Sequence, residues 1–155
     1  DLVLPESGAI IDYIIGKYGN GRLSVPPSSP EFANYVFWFH FANASLMPNM
    51  MLPMAFQFAG ASGDHVPALK SLMSRKDSAF ALIEKRLGDA PYFAGKEFTA
   101  ADIIMLFPLT TMRNFCAVDL THFPNLRAYL KRIGERPAYQ RAMAKGDPEM
   151  KPNLG

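Results

Sequence analysis

Phe98-Thr99-Ala100-Ala101-Asp102-Ile103-Ile104-Met105-Leu106-Phe107 is the stretch that leaves this chain the fewest options. It reads as the start of a helix that runs straight into a core. Thr99 is placed as N-cap, its hydroxyl accepting from a backbone N–H two or three residues on. Asp102 stands at N3, where its carboxylate reaches back to the N–H of Thr99; this is a capping box with Asp in place of the more usual Glu or Gln. The same carboxylate lies at the positive end of the helix dipole. Phe98 at N′ and Ile103 at N4 are spaced for a hydrophobic staple. The residues after Asp102 are apolar without a break, so the helix is expected to be buried on most sides. A buried helix start must satisfy its own N–H groups. Thr99 and Asp102 are therefore read as structural, holding the fold and doing no chemistry.

A buried helix needs other helices around it, and the remaining chain supplies them. Residues 5–18 carry a stripe of Ile10, Ile11, Ile14 and Ile15 at helical spacing, with Tyr13 and Tyr18 beside it. Ser24 to Pro30 holds three prolines and three serines, which reads as an extended connector and the best candidate for a domain boundary. Residues 31–59 form one long or broken helix. Phe32, Tyr35, Val36, Phe39, Asn43, Leu46, Met47 and Met50 follow one helical face, and Phe37, Phe41 and Ala44 another. Pro48 and Pro53 predict a kink near its middle. Asp64 is the expected cap of a helix over about 65–87, with Val66, Leu69, Met73, Phe80, Ile83 and Leu87 inside. Its wet face is Arg75, Lys76, Glu84, Lys85 and Arg86, and Gly88 takes the C′ position. The Thr99 helix is expected to run to about Phe115. Pro124 opens a helix whose stripe is Leu126, Tyr129, Leu130 and Ile133, and Pro137 opens a short last one over 138–145. The tail from Gly146 is expected to be extended or mobile.

The expected architecture is all-α, a helical bundle, with one foreign piece at the front. Residues 1–4 alternate weakly and can end a strand, yet no other segment offers a convincing pairing partner. The helix over 31–59 is apolar on two faces and must be covered twice. Both features say that a partner half belongs against this chain.

Composition excludes some functions. A net charge of +2 comes from lysines and arginines scattered among acids, with no basic stripe for nucleic acid. The single cysteine, Cys116, allows no internal disulfide and suits a reducing compartment. No signal-peptide pattern opens the chain. Phe32 to Gly63 holds no Asp, Glu, Lys or Arg, but its interior prolines, with His40, Asn43, Asn49 and Gln57, argue against a membrane span. His40, His65 and His122 lack metal-type spacing, so no metal is expected; His40 is read as a core or interface histidine and Cys116 as a buried small hydrophobe. Gly-rich phosphate loops and Gly-x-Ser-x-Gly elbows are missing from the sequence.

Two patterns remain. Glu6-Ser7 opens a helix, where free N–H groups and the dipole favour an anion. Ser7 can hold a carboxylate there and Glu6 an ammonium group, which together suit an α-amino acid head; an ordinary Ser N-cap is the plainer alternative. Met47, Met50, Met51 and Met54 gather around the expected kink, either filling gaps in a core or forming an adaptable wall for apolar ligands.

Four segments resemble the glutathione transferase family. Leu4-Pro5-Glu6-Ser7-Gly8-Ala9-Ile10-Ile11-Asp12-Tyr13-Ile14 is similar to the segment that ends its thioredoxin-like domain, and Tyr35 through Pro48 to the fourth helix of its bacterial and fungal members. The Thr99 capping box is similar to the start of its sixth helix, and Phe123-Pro124-Asn125-Leu126 through Ala142 to its close. The resemblance implies the family's C-terminal helical fold. It implies an enzyme that conjugates glutathione, the co-substrate, to hydrophobic electrophiles in the cytoplasm as a homodimer, without metal, membrane or nucleic acid. Residues 1–23 would be the end of the thioredoxin-like domain, 24–30 a linker, 31–146 the helical domain and 147–155 a tail. Glu6 and Ser7 would hold the γ-glutamyl head of glutathione; Asn43, Met47, Met50 and Phe115 would wall the electrophile pocket. The thiol-activating residue has no counterpart in this chain, which alone would be inactive. The alternative is a non-catalytic helical module of the same type that mediates protein association.

Overall fold

A computed structural model describes residues 2–60 and 67–155. Among them are seven α-helices: α1 (Ser7–Tyr18), α2 (Phe32–Phe41), α3 (Met47–Phe58), α4 (Pro67–Asp89), α5 (Ala100–Leu109), α6 (Pro124–Gly134) and α7 (Pro137–Gly146). No strand occurs among the described residues. Leu2–Leu4 run without ladder hydrogen bonds, and Leu2 and Val3 are exposed, so the expected strand is not formed: a strand exists only with its pairing partner.

The middle of the bundle is α5. Its capping box is formed, with Thr99 N–H donating to Asp102 Oδ2 at 2.8 Å. The Thr99 hydroxyl also donates to that oxygen, at 3.2 Å. The next free donor of the helix, Ala100 N–H, is taken by the Leu23 carbonyl at 2.8 Å. The connector after α1 is thus tied to the start of α5, and its Val25 is buried in the core rather than extended in solvent. Helix α5 is shorter than its apolar run. Pro108 inside it cannot donate to the Ile104 carbonyl, the chain breaks at Thr110, and a 3₁₀ turn (Thr111–Asn114) follows.

Helices α2 and α3 are one continuous rod with a five-residue π turn, Ala42–Leu46, between them. The cause is four residues away. In an α-helix the Pro48 ring would press on the Ala44 carbonyl and supply no N–H to it; the widened turn relieves this, and Met47 N–H reaches the Ala42 carbonyl instead. The inserted residue shifts helical phase by about 100°. Asn43 is therefore exposed while Leu46 and Met50 are fully buried, although a uniform helix would put all three on one side.

The core joins Trp38 and Phe39 of α2, Phe80 and Ile83 of α4, Met105 and Leu109 of α5, and Tyr129 and Ile133 of α6. The described part of α4 opens at Pro67; Asp64, His65 and Val66, with the cap expected there, lie outside the described residues. Gly88 is not a C′ residue, since α4 runs through it to Asp89. A Cβ there would stand 2.9 Å from Asn125 Nδ2, so glycine lets α6 approach. Two residues assigned to the wet face of α4 turn inward instead. Glu84 caps α6, accepting from Asn125 N–H and Leu126 N–H at 2.9 Å each. Arg86 donates to the carbonyls of Phe93 at 3.0 Å and Ala94 at 2.8 Å. The tail is extended yet held: Arg113 donates to the Asn153 and Gly155 carbonyls at 3.4 and 3.2 Å, and Asn153 Nδ2 donates to Asn114 Oδ1 at 3.0 Å.

Candidate functional site

Ser7 is the first residue of α1, and Glu6 before it has a left-handed backbone, φ 72°. The Glu6 side chain makes no capping hydrogen bond, so the first N–H groups of α1 are open to solvent or to a ligand. Both side chains are exposed. Helix α1 is seated by its N-terminal end: at Gly8 the backbone runs close to the Phe39 ring and the Ile104 side chain, with a Cβ position 3.6 and 3.7 Å from them. Ile11 and Ile15 pack on the core, whereas Ile10 and Ile14 of the same stripe stay exposed.

The π turn brings Asn43 to this helix start, and Asn43 Nδ2 donates to Ser7 Oγ at 3.0 Å across thirty-six residues of sequence. Asn43 thus belongs with Glu6 and Ser7. The proposed electrophile set is divided by the fold. Met47 is half-buried beside the core. Met50 has no exposed surface and cannot touch a ligand. Phe115 is 65% exposed and sits further along the rod, on a cavity of about 320 Å³ with Met54, Gln57, Met73, Lys76 and Cys116. Cys116 is half-buried, its thiol donating to the Met50 carbonyl at 3.4 Å. His40 is exposed, not in the core, and lies edge-on to Phe39.

Asp102 ties the start of α5 to the Phe93 loop and to α6. It is fully buried and accepts four hydrogen bonds: two from Thr99, one from Phe93 N–H at 3.0 Å and one from the Tyr129 hydroxyl at 3.3 Å. Burial raises its pKa and those donors oppose the rise. Burial, then the Asp102 charge beside it, pushes the Tyr129 phenol well above its ordinary value.

A second open feature is a groove of about 450 Å³ whose walls include Leu23, Ile103, Leu106, Ile133, Tyr139 and Arg136. Arg136 lies over the Phe98 ring, 3.7 Å from its centroid. On the rod, Phe37, Met51, Leu52 and Phe58 are exposed. No group of three or more His, Cys, Asp or Glu is placed to hold a metal ion among the described residues. No helix among them is long and apolar enough to cross a membrane.

These features define an all-helical domain with a polar seat at one helix start and uncovered apolar faces beside it. The profile described as "Glutathione S-transferase, C-terminal domain" matches residues 46–137, more than half of the chain, and the chain belongs to that family. A curated relative, glutathione S-transferase 3 of Schizosaccharomyces pombe, is 30% identical over 154 residues, covering 90% of this chain and 62% of that protein. The crystal structure of a glutathione S-transferase from Actinobacillus pleuropneumoniae superposes with a TM-score of 0.81 at 28% identity, over 99% of this chain and 71% of that one. A sphingomonad glutathione S-transferase solved in complex with glutathione gives a TM-score of 0.70 at 25% identity, over 90% of this chain and 66% of that one.

Proposed function

We propose that this chain is the electrophile-side part of a cytoplasmic, homodimeric glutathione transferase, and that it supplies the seat for the γ-glutamyl head of glutathione. The observation that carries the reading is the exposed start of α1. Ser7 and the open N–H groups behind it suit the α-carboxylate, and the free Glu6 carboxylate suits the α-ammonium. The left-handed backbone of Glu6 holds a conformation that costs energy for a non-glycine residue, as ligand clamps often do.

The reaction joins the glutathione sulfur to an electrophilic carbon, whose leaving group departs with the bonding electrons. This chain holds the peptide by its head and offers Met47, and more remotely Phe115, on the electrophile side. The group that lowers the thiol pKa comes from a thioredoxin-like half. Three features support such a half: the chain spans 62% of its Schizosaccharomyces pombe relative, α1 has no buried residue, and the groove between α5 and α7 is open beside Ile103. The exposed aromatic and methionine band of the α2–α3 rod suits a second copy.

The test is steady-state conjugation of 1-chloro-2,4-dinitrobenzene by the complete protein. Ser7→Ala is expected to raise the KM for glutathione while leaving dimer assembly intact. An unchanged KM would return the chain to the association-module reading.

A further inference from the structure

The family resemblance puts Asn43 in the electrophile wall, on one helical face with Met47 and Met50. The π turn turns it elsewhere, and its amide meets Ser7 Oγ at 3.0 Å. We infer that Asn43 is a positioning residue for the glutathione head group, acting through Ser7; the inference rests on the reading of Glu6 and Ser7 given above. A serine hydroxyl has one proton to donate and two lone pairs to accept with. Asn43 Nδ2 fills one lone pair. It fixes the hydroxyl's torsion and leaves its proton free to point at a carboxylate seated on the N–H groups of α1. Without Asn43 the hydroxyl rotates, and it can turn its proton to a neighbouring backbone carbonyl instead. Asn43 is exposed, so its bond to Ser7 adds little to stability in water, and its effect is expected in ligand binding rather than folding.

Pro48 is the remote cause of this placement, through the π turn it forces on the rod. The head-group seat therefore draws on two elements that meet only in the folded chain: the start of α1 and the widened turn before α3.

The experiment is a double-mutant cycle in the complete protein, with glutathione and the electrophile varied separately. Asn43→Ala is expected to raise the KM for glutathione about three- to tenfold, the worth of one hydrogen bond, and to leave the KM for the electrophile unchanged. Asn43→Asp is expected to raise it further, because an aspartate accepts the Ser7 proton and sets a negative charge beside the ligand carboxylate. In a Ser7→Ala background Asn43→Ala is expected to have no further effect, since the residue acts through Ser7. A change in the electrophile KM with the glutathione KM untouched would overturn the inference and restore Asn43 to the electrophile wall. Full additivity of the two changes would overturn it as well. Were Ser7→Ala itself without effect on glutathione, the reading beneath the inference would fail, and the cycle reports that separately.

Discussion

Replacing Asp102 by Ala removes one carboxylate and strands the donors gathered on it. Phe93 N–H at 3.0 Å, Thr99 N–H at 2.8 Å and the Tyr129 hydroxyl at 3.3 Å lose their acceptor. Thr99 and Tyr129 are buried residues, as is Phe93, so water does not replace the carboxylate freely. A stranded buried donor costs about 1–3 kcal/mol. Relaxation softens the sum, and an expected loss of ~3–5 kcal/mol would be a large share of a domain's stability. Urea unfolding of the wild type and the variant measures it directly. Asp102→Asn is the sharper probe, because it keeps the shape but turns an amide N–H₂ toward other donors. It also removes a titration. Burial raises the Asp102 pKa in the folded chain above its unfolded value, so the folded chain takes up the proton first as pH falls. The stability linked to this group is fully present below the unfolded pKa and is lost as pH rises through the folded pKa. The wild type is therefore expected to gain on Asp102→Asn as pH is lowered from 7 into the range of the folded pKa. A loss under 1 kcal/mol for Asp102→Ala, or a gap that narrows on acidification, would refute the assignment of Asp102 as the buried hub of the bundle.

Two further outcomes follow from contacts distant in sequence. Glu84→Ala is expected to cost about 1–2 kcal/mol in urea unfolding, since Asn125 N–H and Leu126 N–H lose their cap; an effect below 0.5 kcal/mol would place Glu84 back among the wet residues of α4. Arg113→Met is expected to free the tail it holds at Asn153 and Gly155, so that the ¹⁵N heteronuclear NOE values of Asn153, Leu154 and Gly155 fall toward those of a free terminus; unchanged values would show that the tail is held without Arg113.

The helices could be read from the sequence where local rules act unopposed. The Thr99–Asp102 box, the Pro124 and Pro137 starts and the stripe Leu126, Tyr129, Leu130 and Ile133 depend only on neighbours within a turn or two, and each stands in the structure. What escaped was set by distant partners. Glu84 and Arg86 lie on the polar side of α4 by periodicity, and only the fold brings α6 and the Phe93 loop against them. The tail's grip by Arg113 spans forty residues or more. The site shows the same division. Glu6 and Ser7 are proposed from their place at a helix start together with the family resemblance. The resemblance groups Asn43, Met47 and Met50 on one wall, and helical periodicity puts them on one face; the π turn interrupts that face, so that Asn43 meets Ser7 and Met50 lies in the core. Pro48 carried the warning, since a proline four residues beyond a carbonyl disturbs the ladder there.

The central claim is that the head group of glutathione sits on the start of α1. Titrating glutathione into the ¹⁵N-labelled complete protein and following its amide shifts tests this most directly. The largest changes are expected at the backbone amides of Ser7, Gly8 and Ala9 and at the side-chain amide of Asn43. Shifts that saturate elsewhere while these four signals stay in place would contradict the account.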